Sequence, residues 1–257
     1  MTDAWEALRR HTQARIGLGR AGNGLPTRRH LEFVAAHAAA RDAVHAPLDV
    51  ESLAQQLEAL EFDDLPGRPR LGAPLTVRSA AATRDVYLRR PDLGRRPEDG
   101  TALPHSGADV GIALCDGLSS TALLAHGPAL VAAIVRALPG PTFAPPVIAT
   151  QARVALGDHI GAQLGVTTML VLIGERPGLS SADSIGVYLT HHPEPGRRDS
   201  ERNCVSNIHP PGGMTCEGAA RVIAALVDGA RRLGASGVML KDGSRGPALP
   251  DGEHRAL

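Results

Sequence analysis

The sequence predicts an α/β protein with a Rossmann-like, mostly parallel, doubly wound sheet and an N-terminal helical domain or arm. Two observations indicate this class. Uncharged apolar runs stop at turn residues, as residues 166–173 do at Gly174, and such runs are typical of strands buried on both faces. From Asp109 onward, similar runs alternate with segments of helical period, a pattern that favours parallel strands covered by helices.

Residues 1–97 are predicted to form the helical domain and a basic connector. Three helices are expected, each beginning at a capping residue, Asp3, Thr27 or Asp49. No strand is apparent in this part of the chain. The connector, residues 86–96, carries four arginines. It is interpreted as a solvated linker, and the alternative is a contact surface for an acidic partner or a phosphate.

Residues 98–257 are predicted to form the Rossmann-like domain. The expected strands are 110–115, 147–150, 166–173, 184–190 and 237–240, and the expected helices are 128–138, 158–164 and a long one capped by Thr215. Open α/β sheets bind ligands just beyond the carboxyl ends of their strands. Glu175 and Arg176 are therefore expected at the edge of a ligand crevice, the alternative being a capping loop in which they pair with each other or with solvent.

The composition disfavours several function classes. The 27 basic and 27 acidic residues balance, so no net field attracts nucleic acid or an anionic membrane. Aromatic residues make up 2% of the chain, too few for base-stacking platforms. No apolar run reaches the roughly 20 residues that cross a bilayer. The three cysteines have no metal-type spacing and suit a reducing cytoplasm, so a cytoplasmic protein is expected.

A serine hydrolase is a further hypothesis that the motifs do not favour. Ser119 or Ser120 could form a triad with Asp116 and either His126 or His209. The Gly-x-Ser-x-Gly nucleophile elbow is absent, however, and Asp116 is expected to cap the turn after its strand.

Glycine and histidine motifs give equally little support to dinucleotide or metal binding. The loop 17–22 approximates Gly-x-Gly-x-x-Gly, but no strand precedes it, so the dinucleotide fingerprint lacks its context. His191 and His192 have no acidic or cysteine neighbour at a ligand spacing. They are expected to be surface histidines, and no metal site is predicted.

Five short motifs together carry a resemblance to a known family. They are Gly17-Leu18-Gly19-Arg20-Ala21-Gly22, residues 87–95, Cys115-Asp116-Gly117-Leu118-Ser119, Gly174-Glu175-Arg176-Pro177-Gly178-Leu179 and Cys204-Val205-Ser206-Asn207-Ile208-His209. In this order they resemble the small (light) subunit of ethanolamine ammonia-lyase, over a region from about Arg15 to Lys241. The resemblance implies a subunit of an adenosylcobalamin-dependent radical enzyme that converts ethanolamine to acetaldehyde and ammonia.

The resemblance also implies partners and site residues. A large subunit, a β/α barrel, would bind ethanolamine and carry out most of the chemistry, while this chain covers the cobalamin at the subunit interface. Carried over by motif, the cofactor contacts are Val154, Glu175 and Cys204. Val154 would supply apolar or backbone contacts, and Glu175 would accept hydrogen bonds from corrin amides. Cys204, in the loop beyond, would pack or hydrogen-bond weakly without ligating cobalt.

The state of the cofactor and the location of the enzyme are also expected from the resemblance. A histidine replaces cobalamin's own base where the motif is Asp-x-His-x-x-Gly, whereas Asp158 and His159 are adjacent here. The cofactor is therefore expected to be base-on. Some relatives carry a longer N-terminal extension that is linked to packaging in a bacterial microcompartment, whereas the N-terminus is short here. Packaging therefore stays open. The alternative function is a free-standing Rossmann-type nucleotide-binding module.

Overall fold

The computed structural model describes residues 4–67, 69–210 and 212–243. Within those ranges the chain forms seven α-helices and six β-strands. In chain order they are α1 (Ala4–Arg9), α2 (Thr27–His45), α3 (Val50–Glu58), β1 (Leu75–Arg78), α4 (Arg84–Arg89), β2 (Val110–Cys115), α5 (Ser120–Ala137), β3 (Val147–Thr150), α6 (Leu156–Leu164), β4 (Thr168–Gly174), β5 (Ile185–His191), β6 (Arg202–Ile208) and α7 (Cys216–Leu233).

The six strands form one mixed sheet in the order β1-β3-β2-β4-β5-β6. The pairs β1–β3, β3–β2 and β2–β4 are parallel, and β4–β5 and β5–β6 are antiparallel. The predicted α/β class with a mostly parallel sheet is therefore confirmed. After β2 the chain moves outward to β3, then crosses back to β4 on the other side of β2, so the carboxyl ends of β2, β3 and β4 adjoin.

Helices cover both faces of this sheet, and alternate residues of each strand pack on opposite sides. Ile112 and Leu170 belong to the core beneath α3, α5 and α7, whereas Ala113 and Val171 belong to the core beneath α6. The second side is called the α6 face below. It also includes Tyr188, which packs against the same core cluster.

Helix α5 has a membrane-like composition but a core position. By length and apolar content, Ser120–Ala137 could cross a membrane, and half of it is buried in the fold. It packs against α7 and the central strands. A buried core helix meets the same criterion, so the composition of α5 is explained by its packing.

The N-terminal third departs from prediction in two places. Strand β1 joins the sheet edge beside β3, so the expectation of a segment without strands is wrong. The expected linker is also wrong, because it contains α4, whose Tyr87 is completely buried. An apolar periodicity cannot reveal either feature: β1 has four residues and only one is buried, and α4 is shorter than two turns.

The predicted helix caps have mixed outcomes. Asp49 caps α3 as expected, since its Oδ1 accepts a hydrogen bond of 2.9 Å from the Ser52 backbone N–H. The N-cap of α2 is Pro26 rather than Thr27, and the predicted cap Asp3 lies outside the described residues. Thr215 caps α7 as expected.

Three boundaries in the second part of the chain are corrected. Helix α5 begins at Ser120 instead of 128, with Pro128 inside it, because its buried face offsets the lost hydrogen bond. Residues 202–208 form a strand where a loop was expected. Residues 237–240 were expected to be a strand but form a turn. The predicted domain boundary at residue 97 and the predicted Rossmann-like character of the second domain stay predictions.

Candidate ligand-binding edge

The loops that follow β2 and β3 are tied together by Asp116. Its Oδ2 accepts a hydrogen bond of 2.8 Å from the Gln151 backbone N–H, and its Oδ1 accepts one of 2.9 Å from Ala152 N–H. Arg84 of α4 lies 3.4 Å from the same carboxylate. Burial raises the pKa of Asp116, and these donors oppose the rise. Asp116 was expected to cap the turn after its own strand. Its side chain instead bonds mainly to the loop that follows the neighbouring strand β3.

Tyr87 is completely buried beside the loop that follows β3. Its hydroxyl donates a 3.0 Å hydrogen bond to the Ala152 carbonyl. The guanidinium carbons of Arg84 and Arg153 lie 4.8 Å and 4.4 Å from its ring centroid, within cation–π range. Burial raises the pKa of Tyr87 well above its ordinary value. The arginine-rich segment, residues 86–96, therefore contributes a buried side chain, Tyr87, that packs at the carboxyl edge of the sheet.

Glu175 lies at the carboxyl end of β4, as its sequence position predicts. Its backbone N–H donates to Ser184 O (2.9 Å) and closes the β4–β5 connection. Its carboxylate accepts from the Asn207 backbone N–H, with Oε2 at 3.2 Å. A Cβ atom on Gly186 would come within 3.0 Å of Glu175 Oε1, so this side chain rests on the α6 face. Its described contacts do not include Arg176, and the alternative of a Glu–Arg pair is not observed there.

Cys204 and Tyr188 lie opposite each other on β6 and β5. Burial raises the pKa of Tyr188 to about 12, with smaller contributions from Cys204 and Glu175. Burial also raises the pKa of the Cys204 thiol; the Glu175 carboxylate adds to the rise, and a hydrogen bond with Tyr188 opposes it. A thiol of raised pKa is a poor metal ligand at neutral pH, because the thiolate is the form that binds metals.

Val154 is half-buried between β3 and α6, where it packs against the core of the α6 face. Val154, Glu175 and Cys204 thus share this face, the first two at the carboxyl edge. Cys204 lies within β6 and not in a loop, which corrects its predicted setting. The residue is exposed, so this end of the α6 face offers an open surface beside α6.

The sequence reasoning missed a buried ion pair next to these residues. Arg202 of β6 contacts Asp158 in the first turn of α6, and each side chain is only 2% exposed. Its only sequence signal was a single charged residue at the start of a mainly polar stretch, residues 202–208. Such a signal is weak because strands with one exposed face routinely carry charges.

The hydrolase hypothesis finds no support in the described contacts. Ser119 is completely buried and its hydroxyl donates 2.6 Å to Ala182 O, while Ser120 donates to Ala46 O. His126 contacts Asp183, and His209 contacts Asn207. These serines begin α5, and no described hydrogen bond joins either one to a histidine.

The histidine pair departs from expectation. His191 is buried, and its Nδ1 lies 3.0 Å from Thr168 Oγ1, so the prediction of two surface histidines is wrong for His191. His192 is exposed. Among the described residues, no group of three or more histidine, cysteine, aspartate or glutamate side chains could hold a metal ion.

The fold is that of a mixed α/β protein. The carboxyl ends of its parallel strands adjoin the exposed part of the α6 face. A family model for the ethanolamine ammonia-lyase light chain matches residues 2–241. The chain is 58% identical over 253 residues to the ethanolamine ammonia-lyase small subunit of Rhodococcus erythropolis, covering 98% of this chain and 95% of that protein.

Two further relatives carry the same name. The small subunit from Ralstonia nicotianae is 43% identical over 263 residues, covering 98% of this chain and 93% of the relative. The one from Azotobacter vinelandii is 46% identical over 248 residues, covering 93% and 88%. The chain therefore belongs to the ethanolamine ammonia-lyase light chain family, as the five motifs predicted.

Proposed function

We propose that this chain acts as the small subunit of an ethanolamine ammonia-lyase and holds adenosylcobalamin jointly with a large subunit. Family membership supports the lyase assignment. The observation that carries the cofactor assignment is the shared position of Val154, Glu175 and Cys204 on the α6 face. The bound cofactor would supply the radical chemistry that converts ethanolamine to acetaldehyde and ammonia.

The residues at this face fit a corrin. Corrins carry apolar ring edges and a rim of amide groups, which need both packing surface and hydrogen-bond acceptors. Val154 offers a half-buried apolar side chain, and Tyr188 a half-buried ring. Glu175 has one backbone donor on its carboxylate, which leaves lone pairs for amide N–H groups. Each of these residues would bind and orient the cofactor without taking part in proton transfer.

The openness of the face supports a shared site. Cys204 on β6 is exposed and lies opposite Tyr188, on the same side of the sheet. Ligand sites usually bury most of their ligand's surface, so a flat, exposed face needs a second polypeptide to close it. In the proposed enzyme that polypeptide is the large subunit, which would also bind ethanolamine. The proposal includes no nucleic acid or membrane partner.

The base-on state of the cofactor also belongs to this proposal. Both carboxylate oxygens of Asp158 are bound by Arg202, so this aspartate is not available to orient a cobalt-ligating histidine. Burial lowers the pKa of His159, its neighbour on α6. Cobalamin would then keep its own dimethylbenzimidazole. We assign the enzyme to the cytoplasm, within or outside a microcompartment.

Coexpression with the large subunit encoded by the same genome tests the proposal. The purified complex is titrated with adenosylcobalamin, and ammonia release from ethanolamine is measured with and without the cofactor. The expected result is a stable complex that binds the corrinoid and releases ammonia only in its presence. No complex, or a complex without cofactor-dependent activity, contradicts the proposal. Tight nucleotide binding by the chain alone would favour the nucleotide-binding alternative.

A further inference from the structure

The largest apolar side chains of α2 lie on its solvent side. Leu31, Phe33 and Val34 are 60%, 40% and 47% exposed. Two smaller apolar residues, Ala35 and Ala38, are exposed as well. Four of these five residues recur at the i, i+3, i+4 and i+7 spacing of a single helical face. This set is called the α2 stripe below and consists of Leu31, Val34, Ala35 and Ala38.

The other side of α2 packs on the chain through small residues. Ala36 and Ala40 are half-buried and Ala43 is buried, and the helix contacts α5. A surface helix normally turns its bulkier apolar side chains toward the core. Helix α2 has the reverse arrangement, because alanines face inward while Leu31 and Val34 face outward. A helix that is apolar on both sides is typical of one that is buried on both sides in its complete assembly.

In the described part of the chain the α2 stripe is open to solvent and has a polar rim. Arg28 and Glu32 form an ion pair of 3.0 Å beside it, and Arg41 and Asp42 follow it toward the end of the helix. Contiguous exposed apolar residues rimmed by polar ones mark protein–protein contacts. Apolar anchors at this spacing are also the pattern by which a helix enters an apolar groove of a partner.

The carboxyl-terminal end of α2 fixes the α2 stripe close to the carboxyl edge of the sheet. There, Arg84 Nε donates a 2.8 Å hydrogen bond to Val44 O, and Ser120 Oγ donates one of 2.8 Å to Ala46 O. At a rise of about 1.5 Å per residue, the stripe begins at Ala38, about 9 Å along the helix from Val44. A polypeptide that closes over this edge is therefore within reach of the stripe.

We propose that the α2 stripe is a docking surface for the large subunit. This inference rests on the proposed function for its partner, but its surface is separate from the cofactor contacts. Helix α2 lies beside α5, on the side of the sheet opposite the α6 face. The large subunit would thus contact this chain on both sides of the sheet, and the contact at α2 would not involve the cofactor.

The charge around the α2 stripe indicates the chemistry of the partner surface. Residues 17–45 contain four arginines and two acidic residues. Two copies of this chain docked through α2 would bring surfaces of the same net charge together, which disfavours a second copy as the partner. The complementary surface on the large subunit would be an apolar groove or helix face with acidic residues at its rim.

The test measures assembly in the absence of cofactor. The chain is coexpressed with the large subunit encoded by the same genome, and dissociation of the purified complex on dilution is followed by sedimentation velocity. The test variant is Leu31→Glu/Val34→Glu. The matched control is Leu233→Glu/Val238→Glu, which changes the same two residue types at sites that are 50% and 67% exposed, at the end of α7 and in the turn after it.

The test variant should dissociate at concentrations at least about tenfold higher than wild type, because two apolar anchors are replaced by charges that docking would desolvate. The control should match wild type. Leu31→Met/Val34→Ile should stay within about threefold of wild type, since apolar swaps of similar volume are tolerated. Circular dichroism of each chain checks the fold. Ala38→Arg is a second test variant, which keeps both anchors and should also weaken assembly, so the inference does not depend on one variant folding.

If both test variants assemble as tightly as wild type, the inference is overturned while the proposed function stands. It is also overturned if the wild-type chain alone forms a dimer that Leu31→Glu/Val34→Glu abolishes, because the stripe would then bind a second copy. Titration of the wild-type complex with adenosylcobalamin tests the proposed function separately. A complex that depends on the stripe but binds no cobalamin contradicts the proposed cofactor and supports the docking surface. Wild-type subunits that do not assemble overturn both.

Discussion

Arg202 of β6 and Asp158 of α6 form a two-point ion pair, with Nη1–Oδ1 and Nη2–Oδ2 distances of 2.6 Å and 2.7 Å. Nη1 also donates to Thr190 Oγ1, and Nη2 donates to the Arg197 carbonyl. The pair ties α6 to β6 across the α6 face. Because Cys204 follows Arg202 on the same side of β6, the ion pair sets where the exposed face lies relative to α6.

Asp158→Asn should destabilise the chain by about 3–5 kcal/mol, because it leaves a buried guanidinium without its counter-charge. Denaturant unfolding followed by circular dichroism measures the change. Asp228→Asn, at an exposed position on α7, is the control and should lie within about 0.5 kcal/mol of wild type. A double replacement, Asp158→Leu with Arg202→Met, should cost less than Asp158→Asn alone. Equal unfolding midpoints for wild type and Asp158→Asn would show that the ion pair is not essential to the fold.

The elements that were predicted correctly are those whose pattern is local. Strands β2, β3 and β4 are uncharged apolar runs, and α7 has both a cap and a stripe of apolar residues, which burial in the core confirms. Strand β6 was missed because Val205 and Ile208 are its only buried apolar residues. Its extended state depends on hydrogen bonds with β5, a partner that no local pattern identifies.

The candidate site was predictable to a similar extent. The end of an apolar run was enough to predict that Glu175 lies at a strand's carboxyl edge. The neighbours of Glu175 were not predictable, since Gly186 and Asn207 reach it only through the antiparallel β4–β5–β6 arrangement. Tyr87 was unpredictable for the same reason, because its hydroxyl contacts a carbonyl 65 positions further along the chain.

Glu175→Ala should weaken cobalamin binding by the complex about tenfold, as expected for the loss of hydrogen bonds to a charged acceptor. The fold should survive, because the carboxylate is half-exposed and its one described donor, Asn207 N–H, is open to solvent. Absorbance titration gives the affinity, and a thermal melt checks the fold. Glu58→Ala, exposed on α3, serves as the control. An unchanged cobalamin affinity in Glu175→Ala would argue against a contact at this residue.

Gly174→Ala should cost about 2–4 kcal/mol, because a methyl group there overlaps the backbone carbonyl of Ser119 and a packed backbone yields little. Leu118 N–H donates 2.9 Å to Gly174 O, so the substitution separates the loop after β2 from the end of β4. Gly140→Ala is the matched control, since a Cβ there meets no atom within 4 Å. Unfolding free energies of both variants are compared with wild type. Similar values for the two would show that the close approach at Gly174 relaxes without cost.

Protonation of His191 should lower the stability of the folded chain as the pH falls below about 7. Burial lowers the pKa of its imidazole, and His192, Arg231 and Arg197 lower it further. The unfolded chain keeps the ordinary pKa of about 6.5 and binds more protons there, so acid favours unfolding.

The stabilisation from neutral His191 is therefore complete well above pH 6.5 and declines as the pH falls through that value. His191→Asn keeps a polar partner for Thr168 Oγ1 but does not titrate, so its melting temperature should fall less between pH 8 and pH 6 than that of wild type. His159, whose pKa is also lowered, leaves a residual slope of the same sign. The exposed His30→Asn on α2 should retain the wild-type slope. Identical slopes for wild type and His191→Asn would mean that protonation of His191 does not limit acid stability.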